Sequence, residues 1–228
     1  MIIEILYPSL CNLFGDRGNV VYLKKCLPDA TFIETGMDDE PYFVDHDVDL
    51  IYMGPTSESL QIAIKEKLEP YAKRIDDLIR NNVVFLLTGN AMEIFGKQVI
   101  DKDGITFEGL GILDIKAQRD MINRKNSIFL GKYNDLDFVG FQSQFTTCET
   151  SEETIVEKVY GIGLNEKSKY AFIKKNNLYA TYLIGPILVL NPLFTKRVLK
   201  LEKLPYEDDA MKAYETRLAE FVAIANRK

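Results

Sequence analysis

VVFLLTGNAMEIFG, residues Val83 to Gly96, decides how the chain is read. Five apolar residues open it, Val83-Val84-Phe85-Leu86-Leu87, as an unbroken run rather than an alternation. That is the pattern of a strand buried on both faces of a parallel sheet. Thr88, Gly89, Asn90 and Ala91 follow, all small or turn-tolerant, and Met92, Ile94 and Phe95 predict a short helix that stops at Gly96. A buried strand, a sharp turn and a helix make a nucleophile elbow, whose tip residue holds strained backbone angles and shows its side chain above the sheet. The tip here is Gly89, which takes such angles at little cost and carries no nucleophile.

Working outward, Ile2 to Tyr7 predicts a strand ended by Pro8, and Gly15-Asp16-Arg17-Gly18 turns into a helix from about Asn19 to Leu27. Thr31 to Glu34 and Asp49 to Met53 predict two more strands, with Asp45-His46-Asp47 as a polar loop between them. Gly54-Pro55-Thr56-Ser57 leaves the carboxyl end of the second of these, where ligands gather in open α/β sheets. Ser57 is placed to cap a helix from about Glu58 to Leu68, and Pro70 opens another to about Asn81 with Ile75, Leu78 and Ile79 inward. This alternation predicts an α/β fold with a doubly wound, mostly parallel sheet in a single domain, residues 1–228.

After the elbow the pattern changes to short antiparallel strands. Gln98–Ile100 and Ile105–Phe107 flank Asp101-Lys102-Asp103-Gly104, and Tyr170–Lys174 and Leu178–Leu183 flank Asn176-Asn177, two hairpin signals. Ser127–Leu130, Asp137–Phe141 and Val156–Tyr160 predict further strands. Asn191 is placed as a cap before Pro192 at the first position of a helix. A last amphipathic helix spans about Glu207 to Asn226, its apolar face formed by Met211, Leu218, Phe221, Val222 and Ile224.

Three stretches resemble the class I glutamine amidotransferases, in the branch of cobyric acid synthase and the glutaminase subunit of lipid II isoglutaminyl synthase. Leu6-Tyr7-Pro8-Ser9-Leu10-Cys11-Asn12-Leu13-Phe14-Gly15-Asp16-Arg17-Gly18-Asn19 is similar to that branch's LYPDLLNLYGDRGN and is the most specific. Gly89 to Gly96 is similar to its elbow CGGYQLLG, and Thr181 to Leu188 with Asn191-Pro192 to its TYLHGPLL…NP. The resemblance implies a flavodoxin-like fold with antiparallel additions. It puts the family's catalytic Cys on Gly89, its base His on Ile184 and its glutamine-pocket Gln on Glu93.

A glutaminase needs a thiolate, a histidine that moves its proton, and two N–H groups for the oxyanion. Gly89 and Ile184 supply neither of the first two. The family's GGGQD oxyanion loop falls on Met53-Gly54-Pro55-Thr56-Ser57, where Pro55 has no N–H. Gly109 to Asp114 resembles GLGLLD, which precedes a glutamine-holding Arg; Arg124 is the first candidate and Arg119 the second. Gly54, Pro55, Asn90, Glu93 and Arg124 are the oxyanion-loop and pocket candidates. Gly140 to Gln144 stands where the family has GFENH, and Gly161 to Asn165, similar to GFGNN, reads equally as a turn. No cofactor or metal is implied. The reading is a subunit inactive as a glutaminase, beside a Mur-ligase-like or other synthetase partner that the resemblance implies. Two alternatives stay open: an active amidotransferase with a relocated nucleophile, Cys11 or Cys148, or a sensor of glutamine or a related amide.

The composition agrees with an enzyme-sized domain. Its 228 residues, 46% hydrophobic, suffice for one well-buried core. A net charge of −6 with acids and bases interspersed excludes a nucleic-acid binder, which shows a basic stripe. No apolar run reaches the roughly 20 residues that span a bilayer, and Glu4 interrupts any signal peptide. Three widely spaced cysteines form neither a disulfide framework nor a zinc site, which fits a cytoplasmic location. His46, the one histidine, precedes the elbow, whereas the family's base follows it.

Overall fold

Successive side chains of the elbow strand enter two different cores, Phe85 and Leu87 on one face of the sheet and Leu86 on the other. This is why the run is continuously apolar. The computed structural model describes residues 1–104 and 106–227. The first half runs β1 (Ile2–Leu6), α1 (Arg17–Cys26), β2 (Thr31–Thr35), β3 (Leu50–Met53), α2 (Gln61–Leu68), α3 (Ala72–Arg80), β4 (Val84–Thr88) and α4 (Ala91–Phe95). The second half adds β5 (Gln98–Ile100), β6 (Thr106–Glu108), β7 (Ile115–Arg119), β8 (Lys125–Tyr133), β9 (Leu136–Gln144) and β10 (Thr146–Thr150). It ends with β11 (Glu153–Tyr160), β12 (Tyr170–Lys175), β13 (Leu178–Thr181), α5 (Ile187–Leu190), α6 (Pro192–Val198) and α7 (Glu207–Ala225).

A nine-stranded sheet has the order β2-β1-β3-β4-β13-β12-β11-β8-β9. Its pairings are parallel from β2 to β13 and antiparallel from β13 to β9. Helices α2, α3 and α4 cover one face, and α1, α5 and α6 the other. The antiparallel end curls back: Phe141 on β9 exchanges backbone hydrogen bonds with Ile184, just past β13. Ile184 is thereby fixed beside the elbow. A second, four-stranded sheet, β10-β7-β5-β6, packs against α4 and the first core.

The expected α/β architecture and both hairpins are present, although Ile105 lies outside the described residues. Several local expectations are corrected. The first helix starts at Arg17, two residues before Asn19. A 3₁₀ turn, Glu58–Leu60, precedes α2, and the Ser57 hydroxyl pairs with Ser59 instead of capping it. Asn191 precedes Pro192 as expected, but its side chain bonds to Val139 of β9 and to Ile187, not to the helix it precedes. On α7, Val222 and Ile224 face solvent, while Tyr214 and Phe221 are buried and Leu218 packs beside Phe221. Strands β7 and β10 were not expected. Among the described residues, no helix is long and apolar enough to cross a membrane.

Candidate functional site

Gly89 has φ +58°, so the elbow holds the left-handed backbone its tip requires. Asn90 stitches this turn to the loop after β3: its Oδ1 accepts from the Thr56 N–H at 3.0 Å, and its Nδ2 donates to the Thr56 carbonyl at 2.8 Å. The loop therefore rides directly over the tip. A Cβ built on Gly89 would stand 2.5 Å from Pro55 Cβ and 3.4 Å from Ile184 Cγ2. Residues 55, 89 and 184, far apart in the chain, thus meet at one point. A pyrrolidine ring and a sec-butyl side chain thus flank the tip of the elbow. Pro55 contributes no N–H, and the next one, of Thr56, is engaged by Asn90.

The cavity at this point has a volume of about 30 Å³ and is bounded by Pro55, Thr56, Gly89, Glu93, Tyr182 and Ile184. That is room for roughly one or two waters. Arg124 stands at its rim, its guanidinium 4.6 Å from the Phe145 ring centre and 5.7 Å from that of Phe14. Both contacts are of cation–π type. Ser143 and Gln144 complete the wall.

Glu93 is wholly buried. Its Oε2 accepts from Arg119 Nη2 at 2.7 Å and from Gln61 Nε2 at 3.0 Å, and Arg119 also donates to Gln61 Oε1. Burial raises the Glu93 carboxyl above its usual range, opposed by the Arg119 charge. Of the two arginines singled out in the sequence, Arg119 is the one paired with Glu93, while Arg124 lines the cavity. Tyr182 and Cys148 lie behind Glu93, and burial, then the Glu93 charge, hold the tyrosine well above its ordinary pKa.

Beneath the elbow a second polar cluster joins distant segments. Asp16 accepts from Thr88 Oγ1 at 2.9 Å, from Asn19 Nδ2 at 3.1 Å and from the Tyr52 hydroxyl. Asn19 Oδ1 in turn accepts from the Leu188 N–H at 2.9 Å. Burial pushes the Asp16 carboxyl up to about 7. Thr88 therefore points away from the cavity, as the alternation of strand side chains requires.

The relocated-nucleophile candidates are both buried. Burial pushes the thiols of Cys11 and Cys148 up to about 12 in each case, so neither is a thiolate at neutral pH. His46 is exposed and stacks on Tyr42 at 4.0 Å. Residues 109–114 wrap the end of α4, with the N–H groups of Leu110, Gly111 and Leu113 on the carbonyls of Ile94, Gly96 and Phe95. Residues 161–165 are an irregular connection that leads into a turn at Asn165–Ser168, where Asn165 Nδ2 donates to the Cys148 carbonyl and its Oδ1 accepts from the Ser168 N–H. Reasoning from sequence did not single out Gln61, Thr56 as a cavity wall, or Tyr182. Tyr182 carried a signal as part of the Thr181–Leu188 motif and Thr56 as part of the Met53–Ser57 loop, whereas Gln61 carried none.

A family model of the CobB/CobQ-like glutamine amidotransferase domain matches residues 2–191. The chain is 27% identical to the GatD subunit of the glutamine-hydrolysing lipid II isoglutaminyl synthase of Streptococcus pneumoniae, over 96% of this chain and 87% of that subunit. It is 26% identical to the corresponding GatD subunit of Staphylococcus aureus, over 83% and 79%. Two solved structures share the fold. A glutamine amidotransferase superposes with TM-score 0.54 at 11% identity, covering 88% of this chain and 98% of that one. A glutamine amidotransferase from Thermotoga maritima does so with TM-score 0.52 at 10% identity, covering 99% and 93%. With the family match spanning both the elbow and the loop over it, the chain belongs to the CobB/CobQ-like glutamine amidotransferase domain family.

Proposed function

We propose that this chain is a GatD-like subunit of a lipid II isoglutaminyl synthase type of complex, and that it does not itself hydrolyse glutamine. The first part is supported by the two GatD relatives, each matched over most of its length. The second is carried by one observation: Pro55 and Ile184 close on Gly89 in the space that an attacking thiol and its base would need. Loss of either group lowers turnover by orders of magnitude. A thiol elsewhere does not compensate, since Cys11 and Cys148 are buried and protonated at neutral pH.

In this reading a Mur-ligase-like synthetase subunit is the partner. The chain serves it as a structural element, and the complex draws on free ammonia. Purified chain, alone and with its co-purified partner, is incubated with glutamine, and glutamate and ammonia are measured. No release above a contaminant control is expected. Steady release that disappears on alkylation of Cys11 or Cys148 would refute the proposal.

A further inference from the structure

The polar atoms around the cavity are unevenly satisfied. Glu93 Oε2 is held by Gln61 and Arg119, but Oε1 has no hydrogen-bond partner among the described residues. The Tyr182 hydroxyl and Thr56 Oγ1 likewise have none. All three residues are at least 98% buried, and all three line the one cavity. The hydroxyls of Tyr182 and Thr146 both stand beside the Glu93 carboxyl, yet no bond of acceptable geometry joins Oε1 to either. Burying an unpartnered carboxylate oxygen is unfavourable, so such atoms point to a ligand.

The lining restricts what that ligand can be. A buried carboxylate refuses an anion. Three oxygens are too few for a hard divalent cation, which takes six or more. A volume of about 30 Å³ excludes an amino acid. The Thr56 hydroxyl lies beside the Cys11 sulfur and the Tyr182 hydroxyl beside that of Cys148. Those sulfurs are weak acceptors toward which the hydroxyl protons can turn, leaving oxygen lone pairs for the cavity. The fitting ligand is of water size and has more N–H or O–H donors than a water.

We propose that this cavity binds an ammonium ion from solution, with Glu93 Oε1, Tyr182 Oη and Thr56 Oγ1 as its acceptors. The inference rests on the reading of the chain as a subunit that does not hydrolyse glutamine. It gives the remnant of the glutamine pocket a use in holding the nitrogen source itself.

The test follows the unfolding midpoint of the full chain in NH₄Cl, NaCl, KCl and methylammonium chloride at one ionic strength. A ligand of the native state raises the midpoint in a saturating way. The expected result is the largest such rise with NH₄Cl, because methylammonium sets a methyl group against an oxygen-lined cavity of one or two water volumes, and sodium and potassium donate no hydrogen bonds. Tyr182→Phe and Thr56→Val keep shape and remove only the weak contacts these hydroxyls make with Cys148 and Glu93 and with Cys11. Both should fold normally and weaken the apparent ammonium affinity by about three- to ten-fold. No specific rise with NH₄Cl, an equal rise with KCl, or an undiminished response in both variants would overturn the site. Glutamine hydrolysis by the same preparation is scored separately. Its appearance would overturn the non-hydrolysing reading, whereas a flat titration without it overturns the ammonium site alone.

Discussion

A Cβ at position 89 would have to share space with Pro55, 2.5 Å away, on a backbone at φ +58°. Gly89→Cys therefore places a sulfur there at the expense of the loop above it. We expect it to destabilise the chain by about 1–3 kcal/mol, the usual range for over-packing, and to yield no glutaminase. Adding Pro55→Gly frees the space, so the double variant should be less unstable than the sum of the singles. Urea unfolding of all four members of the cycle measures that coupling, and strict additivity would show that the two residues do not collide. Glu93 makes a second residue-scale case. Arg119→Met would leave its carboxylate buried without a counter-charge, at a cost of about 3–5 kcal/mol, whereas Arg119→Met with Glu93→Met should recover most of that loss. The elbow and Glu93 were legible in the sequence because they lie in one contiguous motif. The Arg119 partnership was not, because no local periodicity records a pairing between side chains 26 residues apart.

Elements were legible where burial is two-sided or alternates over large side chains, as in β3, β4 and the Asn176 hairpin. Strand β7 reads IKAQR and buries only Ile115 and Ala117; β10 reads TTCET and buries Thr146 and Cys148. With so little apolar bulk, the period-2 signal is faint. The helix α7 was found but its face was misjudged. Its buried positions, Tyr214 and Phe221, are two turns apart, with Leu218 between them packing beside Phe221, and the exposed Val222 and Ile224 lie off that line. Phe221→Ala should cost about 3–5 kcal/mol, since the ring packs edge-on to Phe141 at 5.3 Å. Val222→Ala and Ile224→Ala should each stay within roughly 0.5 kcal/mol. Asn191 is the other element-scale device. Its amide exchanges hydrogen bonds with the N–H and C=O of Val139, each at 2.8 Å, satisfying the free edge of β9 where no strand adds to it. Asn191→Ala leaves both groups buried and unpaired, so a loss of about 2–4 kcal/mol is expected. Faster hydrogen exchange at the Val139 amide should accompany it; unchanged protection there would show that the side chain does not hold the edge.

At the scale of the whole molecule, the Asp16 cluster joins the N-terminal motif, the end of β4 and the start of α5. Asp16 and Asn19 hold elements together, while Gly89 and Ile184 only bound a cavity. On the proposed reading, that contrast is expected of a fold kept without its hydrolytic step. It also makes the pH dependence of folding informative. The Asp16 carboxyl stands at about 7 in the native state against an ordinary 3.8, because burial disfavours its charge. Between those values the folded chain holds a proton that the unfolded chain has lost, so stability must fall as pH rises. The contribution is complete below about pH 4, declines by about 1.4 kcal/mol per pH unit, and is gone above about pH 7. The total is on the order of 4 kcal/mol. Surface carboxylates such as Asp114, Asp135 and Glu207, held low by Lys97, Arg197 and Lys196, pull the profile the other way. They are common to wild type and variant, so they cancel in a difference. Asp16→Asn keeps the size of the side chain and removes the titration, and the Tyr52 and Thr88 hydroxyls can accept from its amide as readily as they donate to the acid. Wild-type stability minus that of Asp16→Asn, measured by urea unfolding from pH 4 to 8, should therefore slope downward to about pH 7 and then level. Parallel profiles across that range would mean that Asp16 is already ionised at pH 4, and that the cluster binds its three segments as a charged hub rather than a protonated one.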